Sequence, residues 1–270
     1  MSWHEAILLG LVQGLTEFLP VSSSGHLVLT QHLLGLHHQN ITFEVFVHFG
    51  TLMAVVLVFK ADIFKMTISV FGFFKNLSNP KYYFKENSDF KIATYIILAS
   101  IPAAIVGLFF IDFLENIFSL PFWVSIMLLI TGGILLATNL TSTKHSSVKL
   151  PDAMVMGLAQ AFAIIPGISR SGSTICMAMF MGLNKNEAAR FSFLLSLPVI
   201  FGATILKFFD LLDQSPKFEQ FFPMLIGTFV AFISGYWAIR FLLNLIREGK
   251  ISYFAYYCFA AGIVGAIYFY

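Results

Sequence analysis

Six apolar runs constrain this chain more than anything else in it. They fall at about residues 43–59, 90–111, 121–140, 187–209, 221–246 and 253–270. Each is close to the ~20 residues that a helix needs to cross the hydrocarbon core of a bilayer. The rest of the chain offers little to set against them. Of 270 residues, 58% are hydrophobic and only 11% charged, whereas a soluble domain carries about 25% charged residues. That much apolar surface cannot be hidden in one aqueous core, so the expected fold class is an all-α polytopic membrane protein. A net charge of +2 is too small to point to nucleic acid. Cys176 and Cys258 each sit inside an apolar run without ligand spacing and read as buried small hydrophobes. The N-terminus lacks a basic n-region and a small-residue cleavage site, so it is expected to be retained.

Two further apolar regions, 3–36 and 151–183, are broken near their middles by Pro, Gly and Ser. The breaks read Pro20-Val21-Ser22-Ser23-Ser24-Gly25 and Pro166-Gly167-Ile168-Ser169-Arg170-Ser171-Gly172. Each half is too short to cross comfortably. At membrane depth such breaks are tolerated only where they are buried in protein or line a wet cavity. Loop charge gives the orientation. Residues 60–91 carry Lys60, Lys65, Lys75, Lys81, Lys85 and Lys91; 141–150 carries Lys144 and Lys149; 247–252 carries Arg247 and Lys250. By the positive-inside rule these loops face the cytoplasm. The loops at 112–120 and 210–220 are acidic, with Asp112, Glu115, Asp210, Asp213 and Glu219, and face outward, as does 36–42. If both broken regions dip in and return, they enter from opposite faces.

Residues 10–26, GLVQGLTEFLPVSSSGH, and 157–174, GLAQAFAIIPGISRSGST, repeat one another with one residue of slippage around the Pro. Similar segments in opposite orientation are the mark of an inverted-topology repeat, whose binding site lies at the repeat interface near the midplane. The expected architecture is six spanning helices plus two re-entrant helical hairpins. They form one membrane domain over 1–270, with repeat halves of approximately 1–140 and 141–270.

The polar residues inside these breaks are the chemical candidates. A carboxylate deep in an apolar segment, Glu17, costs at least ~2.5 kcal/mol to insert and is a functional candidate by default. Gln13 lies one turn earlier on the same face, and the two could offer oxygens to Mg²⁺ or Ca²⁺. Glu17 is equally a candidate general base. His26, nine residues on, is a candidate proton acceptor, nucleophile or phosphate holder. Ser22, Ser23 and Ser24 are candidates for helix capping and, for one within reach of His and Glu, for nucleophile. Arg170 in mid-hairpin requires an anion. Ser169, Ser171, Gly172 and Thr174 around it, and Gly25 in the first break, supply donors or close backbone approach, a combination suited to phosphate. A salt bridge from Arg170 to Glu17 is the plain alternative, and the two readings are compatible. Glu44 and His48, at i and i+4, could border the same cavity; Arg190 sits at a cytoplasmic boundary where it can snorkel. Walker, HExxH and heme motifs are absent.

QGLTEFLPVSSSGH followed by PGISRSGST resembles the undecaprenyl-diphosphate phosphatase family of the bacitracin-resistance type, over essentially the whole chain. The resemblance implies a bacterial inner-membrane enzyme that removes the terminal phosphate of undecaprenyl diphosphate and recycles the lipid carrier of cell-wall precursors. It implies Glu17, Ser23, His26 and Arg170 as essential positions, and Ser169, Ser171 and Thr174 as a phosphate-binding loop. It also implies a divalent cation, a homodimer, a site opening to the periplasmic side, and bacitracin as a competitor for the substrate. The family's first acidic motif begins with Glu or Gln; Gln13 here weakens a two-carboxylate metal site and leaves Glu17 as the principal acid. A transporter or flippase of a phosphorylated lipid is the alternative, because inverted repeats with broken midplane helices are typical of transporters.

Overall fold

The computed structural model describes residues 1–36, 41–110, 120–214 and 218–270, with side chains throughout these ranges except at 41–42, 206–214 and 218–220. The expected outer loops at 36–42 and 112–120 therefore lie largely outside the described residues; of the one expected at 210–220 only 215–217 do, and the rest is helical, at the ends of Lys185–Gln214 and Phe218–Arg247. The described backbone is helical, and its only β pairing is an isolated bridge between His145 and Leu183. In chain order the helices are α1 (Trp3–Phe18), α2 (Ser23–Leu33), α3 (Ile41–Val58), α4 (Lys60–Lys75), α5 (Pro80–Glu86), α6 (Ser88–Phe109), α7 (Pro121–Ala137), α8 (Leu150–Phe162), α9 (Arg170–Phe180), α10 (Lys185–Gln214), α11 (Phe218–Arg247) and α12 (Tyr253–Tyr268). Four of them provide segments long and apolar enough to cross a membrane: Ser88–Phe109, Pro121–Leu140, Lys185–Ile205 and Phe221–Arg247. A fifth is reached if α3 and α4, bent by 80° at their junction, count together. The protein is thus an all-helical multi-pass membrane protein.

Each of the two broken regions is a pair of short helices separated at the break. At 1.5 Å per residue, α1 is about 24 Å long and α2 about 16 Å, so neither alone matches a ~30 Å hydrocarbon core. The pair α8 and α9 behaves alike. Where the structure differs is in 60–91, expected as a lysine-bearing loop. It is largely helical, with Ile63 and Met66, at helical spacing, packed against the core cluster that holds Ile96 and Leu194. Phe73 stacks on Phe90 with ring centroids 4.5 Å apart. The lysines occupy the faces this packing leaves outside. Arg190, expected to snorkel, is instead half-buried and paired with Asp62 and Glu187, tying α4 to α10.

Packing between the halves is exchanged. Helix α1 lies along α11, and α8, which carries the matching Gly-Leu-x-Gln sequence, lies along α6. Glycine makes both approaches possible: a Cβ on Gly10 would stand 2.6 Å from the Gly227 carbonyl oxygen, and one on Gly157 2.3 Å from that of Ala99. The central helices α3 and α10 pack on each other, as do α7 and α12. Phe18, immediately after Glu17, is fully buried and edge-on to Phe193 of α10, at 5.7 Å between centroids. This aromatic layer, with Phe59, fixes the end of α1 from below.

Candidate active site

The two breaks meet at the centre of the molecule. Gly25 packs on Gly167, Gly172 packs against Pro20, and the Ser171 hydroxyl donates to the Leu19 carbonyl at 3.2 Å. The breaks are built alike. Ser22 caps α2 by accepting from the Gly25 amide at 3.3 Å, and Ser169 caps α9 by accepting from the Gly172 amide at 3.0 Å. In each, the cap hydroxyl also lies 3.3 Å from the next serine but one, Ser24 or Ser171. These caps leave Ser23 and Arg170 as the first residues of their helices. Both reach the same acceptor, Glu17: Ser23 Oγ donates to Oε2 at 2.5 Å, and Arg170 Nη2 donates to Oε1 at 2.6 Å. Gln13 Nε2 donates to Oε2 at 2.8 Å from one turn earlier.

Around this centre is a cavity of about 340 Å³. Glu17, Ser22, Ser23, Ser24, Glu44, His48, Ser169 and Arg170 line it on the polar side, and Ile164, Ile168, Val199, Ile200 and Ala203 on the apolar side. The helix starts of α2 and α9 both open into it, and helix starts carry unpaired amides and a partial positive charge that favour an anion. Arg170 Nη1 is buried and makes no hydrogen bond. A guanidinium with one nitrogen on a carboxylate and another unsatisfied is suited to a second anion.

The candidates do not all converge. Glu17, Ser22, Ser23, Ser24, Ser169 and Arg170 line the cavity. Ser171 is buried against Leu19, and Gly25 and Gly172 serve the close approach of the breaks. Thr174 is turned into the core, bonded to the Arg170 carbonyl and the Ser192 hydroxyl. His26 does not line the cavity; its ring nitrogens engage the Ser22 carbonyl and the Tyr257 hydroxyl. The imidazole near Glu17 is that of His48, with Nε2 3.7 Å from Oε2 and Nδ1 2.6 Å from the Glu44 carbonyl.

The arrangement does not fit a preformed cation cage. Both oxygens of Glu17 already accept from protein donors, and Gln13 presents its amide N–H, not its oxygen, to the carboxylate. Among the described residues, no three His, Cys, Asp or Glu side chains gather as a metal site.

Two contributors, Thr131 and Tyr257, had no signal in the sequence. Thr131 of α7 accepts from the Ser169 amide at 3.0 Å and donates to the Gly167 carbonyl at 2.8 Å, holding the second break in place. Tyr257 is 231 residues from its partner His26. Gln160, which repeats Gln13, is buried with both amide atoms unbonded.

Comparison with known proteins gives the family. The family model described as bacitracin resistance protein BacA matches residues 6–264. The undecaprenyl-diphosphatase of Salinibacter ruber is 42% identical over 267 residues, covering 98% of both chains. That of Halothermothrix orenii is 42% identical over 98% of this chain and 97% of its own. Undecaprenyl-diphosphatase 1 of Bacillus licheniformis is 41% identical over 97% and 96%. With a match that runs from α1 into α12, the chain belongs to the bacitracin resistance protein BacA family.

Proposed function

We propose that the Glu17–Arg170 cavity is where this protein acts as its relatives are named. It hydrolyses undecaprenyl diphosphate to undecaprenyl phosphate and inorganic phosphate, which returns the lipid carrier to cell-wall synthesis. The observation that carries the site is the convergence of Ser23 and Arg170, from the starts of two helices, on one buried carboxylate. At rest Arg170 is held by Glu17. An entering terminal phosphate competes for the guanidinium through Nη1 and for the amides at the start of α9. Once Arg170 turns to the phosphate, Glu17 becomes a stronger base beside the Ser23 hydroxyl.

Ser23 Oγ then attacks the terminal phosphorus while Glu17 takes its proton. The bond from phosphorus to the bridging oxygen breaks, and undecaprenyl phosphate leaves with that proton. Water attacks the resulting phosphoserine with Glu17 again as base, releasing phosphate. Arg170 and the helix-start amides stabilise the charge that develops on the phosphoryl oxygens, the main work of such sites. A divalent cation, Mg²⁺ or Ca²⁺, would arrive with the substrate and would supply neutralisation of its charge; of the two side chains considered for it, Glu17 has both oxygens engaged by protein donors and only the Gln13 amide oxygen is unpaired.

The finer architecture follows the same reading. Helices α3 and α12 complete six spans, and α1–α2 and α8–α9 are re-entrant hairpins of an inverted repeat with halves near 1–140 and 141–270. The exchanged packing of α1 on α11 and α8 on α6 supports this. The basic segments then lie in the cytoplasm and the cavity opens to the periplasmic side of the inner membrane. A homodimer, and competition with bacitracin for the lipid diphosphate, belong to the same proposal.

The test is phosphate release from undecaprenyl diphosphate by purified protein in detergent. Wild type releases phosphate, while Arg170→Ala and Ser23→Ala each lose at least about a hundredfold, the scale for removing one charge-stabilising donor or an activated nucleophile. Wild-type turnover in folded Arg170→Ala rules out the site. Exchanged packing is also the framework of a transporter or flippase. Lipid-diphosphate binding without phosphate release, with transfer of lipid across vesicles, would favour that reading.

A further inference from the structure

The His26 ring is fixed at both nitrogens. Nδ1 lies 2.8 Å from the Ser22 carbonyl oxygen and Nε2 2.8 Å from the Tyr257 hydroxyl. A carbonyl only accepts, so Nδ1 carries the proton, and Nε2 takes the hydroxyl proton of Tyr257 into its lone pair. The ring also stacks on Tyr257, at 5.5 Å between centroids and 12° between planes. The one lone pair with which this imidazole could attack phosphorus or accept a proton is already engaged, outside the cavity.

What His26 holds is unusual. Ser22 is the only residue other than glycine with positive φ among the described residues, at 69°. That is a strained conformation for a residue with a Cβ, and it persists only where surrounding bonds impose it. The Ser22 carbonyl accepts from the His26 backbone amide at 3.1 Å as well as from Nδ1. The strained residue immediately precedes Ser23, so it sets the direction from which Ser23 approaches Glu17. The second break provides a comparison within the same chain. Its cap, Ser169, has φ of −76°, and the residue matching His26 is Ser173, which offers only its backbone amide to the cap carbonyl. The imidazole is present at the break whose backbone is strained and absent at the one that is relaxed.

We propose that His26 and Tyr257 are positioning residues. Tyr257 holds the ring, the ring holds the Ser22 carbonyl, and the strained turn keeps Ser23 aimed at Glu17. This rests on the reading of Ser23 and Glu17 as the reacting pair. His26 neither attacks phosphorus nor exchanges a proton with substrate.

The test uses full-length protein in detergent, with phosphate release from undecaprenyl diphosphate measured across pH and melting recorded for each variant. His26→Asn is the informative variant. Its amide N–H stands where Nδ1–H stands, but it has no ring nitrogen to act as base or nucleophile. His26→Ala is expected to lower kcat by roughly tenfold or more with KM within about twofold, the scale of a misaimed reacting group. His26→Asn is expected to recover to within about threefold of wild type, with an unchanged pH profile. Tyr257→Phe is expected to lower kcat about two- to fivefold, also with the same profile. If His26→Asn melts like wild type yet is as inactive as His26→Ala, the imidazole is doing chemistry and the proposal is overturned. If His26→Ala does not fold, His26→Asn against wild type decides by the same criterion. Ser23→Ala with wild-type turnover would instead overturn the reacting pair, whatever the His26 variants do.

Discussion

Replacing Glu17 with Gln separates the two partners of Arg170, the internal carboxylate and the incoming anion. In the structure Glu17 holds the guanidinium through a contact of 2.6 Å between Oε1 and Nη2, and in the proposed mechanism it thereby competes with substrate. With charge centres roughly 4 Å apart and an effective dielectric of about 20, that attraction is about 4 kcal/mol. Gln leaves a neutral hydrogen bond worth about 1 kcal/mol in its place. The Arg170 side chain is 17% exposed and borders the cavity, so solvent screening reduces the difference further, to about 1.5 kcal/mol. That is roughly a tenfold change in Kd. Glu17→Gln is therefore expected to bind inorganic diphosphate about tenfold more tightly than wild type while losing about 10²- to 10⁴-fold in turnover, the range for removing a general base. Isothermal titration of diphosphate into both proteins, with chelator present, measures the first effect; phosphate release measures the second. An unchanged or weaker Kd in a variant that melts like wild type refutes the competition, because Arg170 would then not be the group that receives the anion.

Thr131→Val removes the side chain that bonds both the Gly167 carbonyl and the Ser169 amide. Leaving those buried groups unpaired is expected to cost about 1–3 kcal/mol each at most, and thermal melting should fall together with kcat. Gly167→Ala combines a φ of 94° with a Cβ that would stand 2.4 Å from the Val124 carbonyl oxygen. Strain and overpacking of roughly 1–3 kcal/mol each predict a lower melting temperature, whereas Gly107→Ala, in open space, is expected to leave melting within about 0.5 kcal/mol of wild type. Chelator is expected to stop phosphate release and Mg²⁺ or Ca²⁺ to restore it, while elemental analysis of dialysed protein finds well below one cation per chain. A stoichiometric cation after dialysis would contradict a cation that arrives on the substrate.

Much of the site was readable because it depends on local rules. The i, i+4 spacing puts Gln13 and Glu17 on one face, and the Pro–Gly–Ser breaks end helices wherever they occur. Arg170, without an aqueous exit, had to find an anion, and the salt bridge weighed beside the phosphate reading is present. The segment 60–91 was misread as loop because its lysines carried more weight than the helical spacing of Ile63, Met66 and Val70. His26 drew attention as a titratable group near Glu17. Its direction depends on the rotation of α2 against α12, and no local pattern encodes where Tyr257 will stand. Thr131 was invisible for the same reason: a hydroxyl in an apolar run has no period, and its partners are 36 and 38 residues away.

The exchanged packing has a consequence for synthesis. Glu17 is made 153 residues before the arginine that neutralises it, and the face of α1 beside Gly14 meets Ala231 and Ser234, near the end of the chain. While the ribosome works through the intervening helices, α1 exposes a carboxylate and an amide in the bilayer with no permanent neighbour. The first half is therefore an unfinished client of the insertion machinery, and a nascent chain stopped before α9 leaves a fragment that membrane proteases should recognise by its unpaired acid.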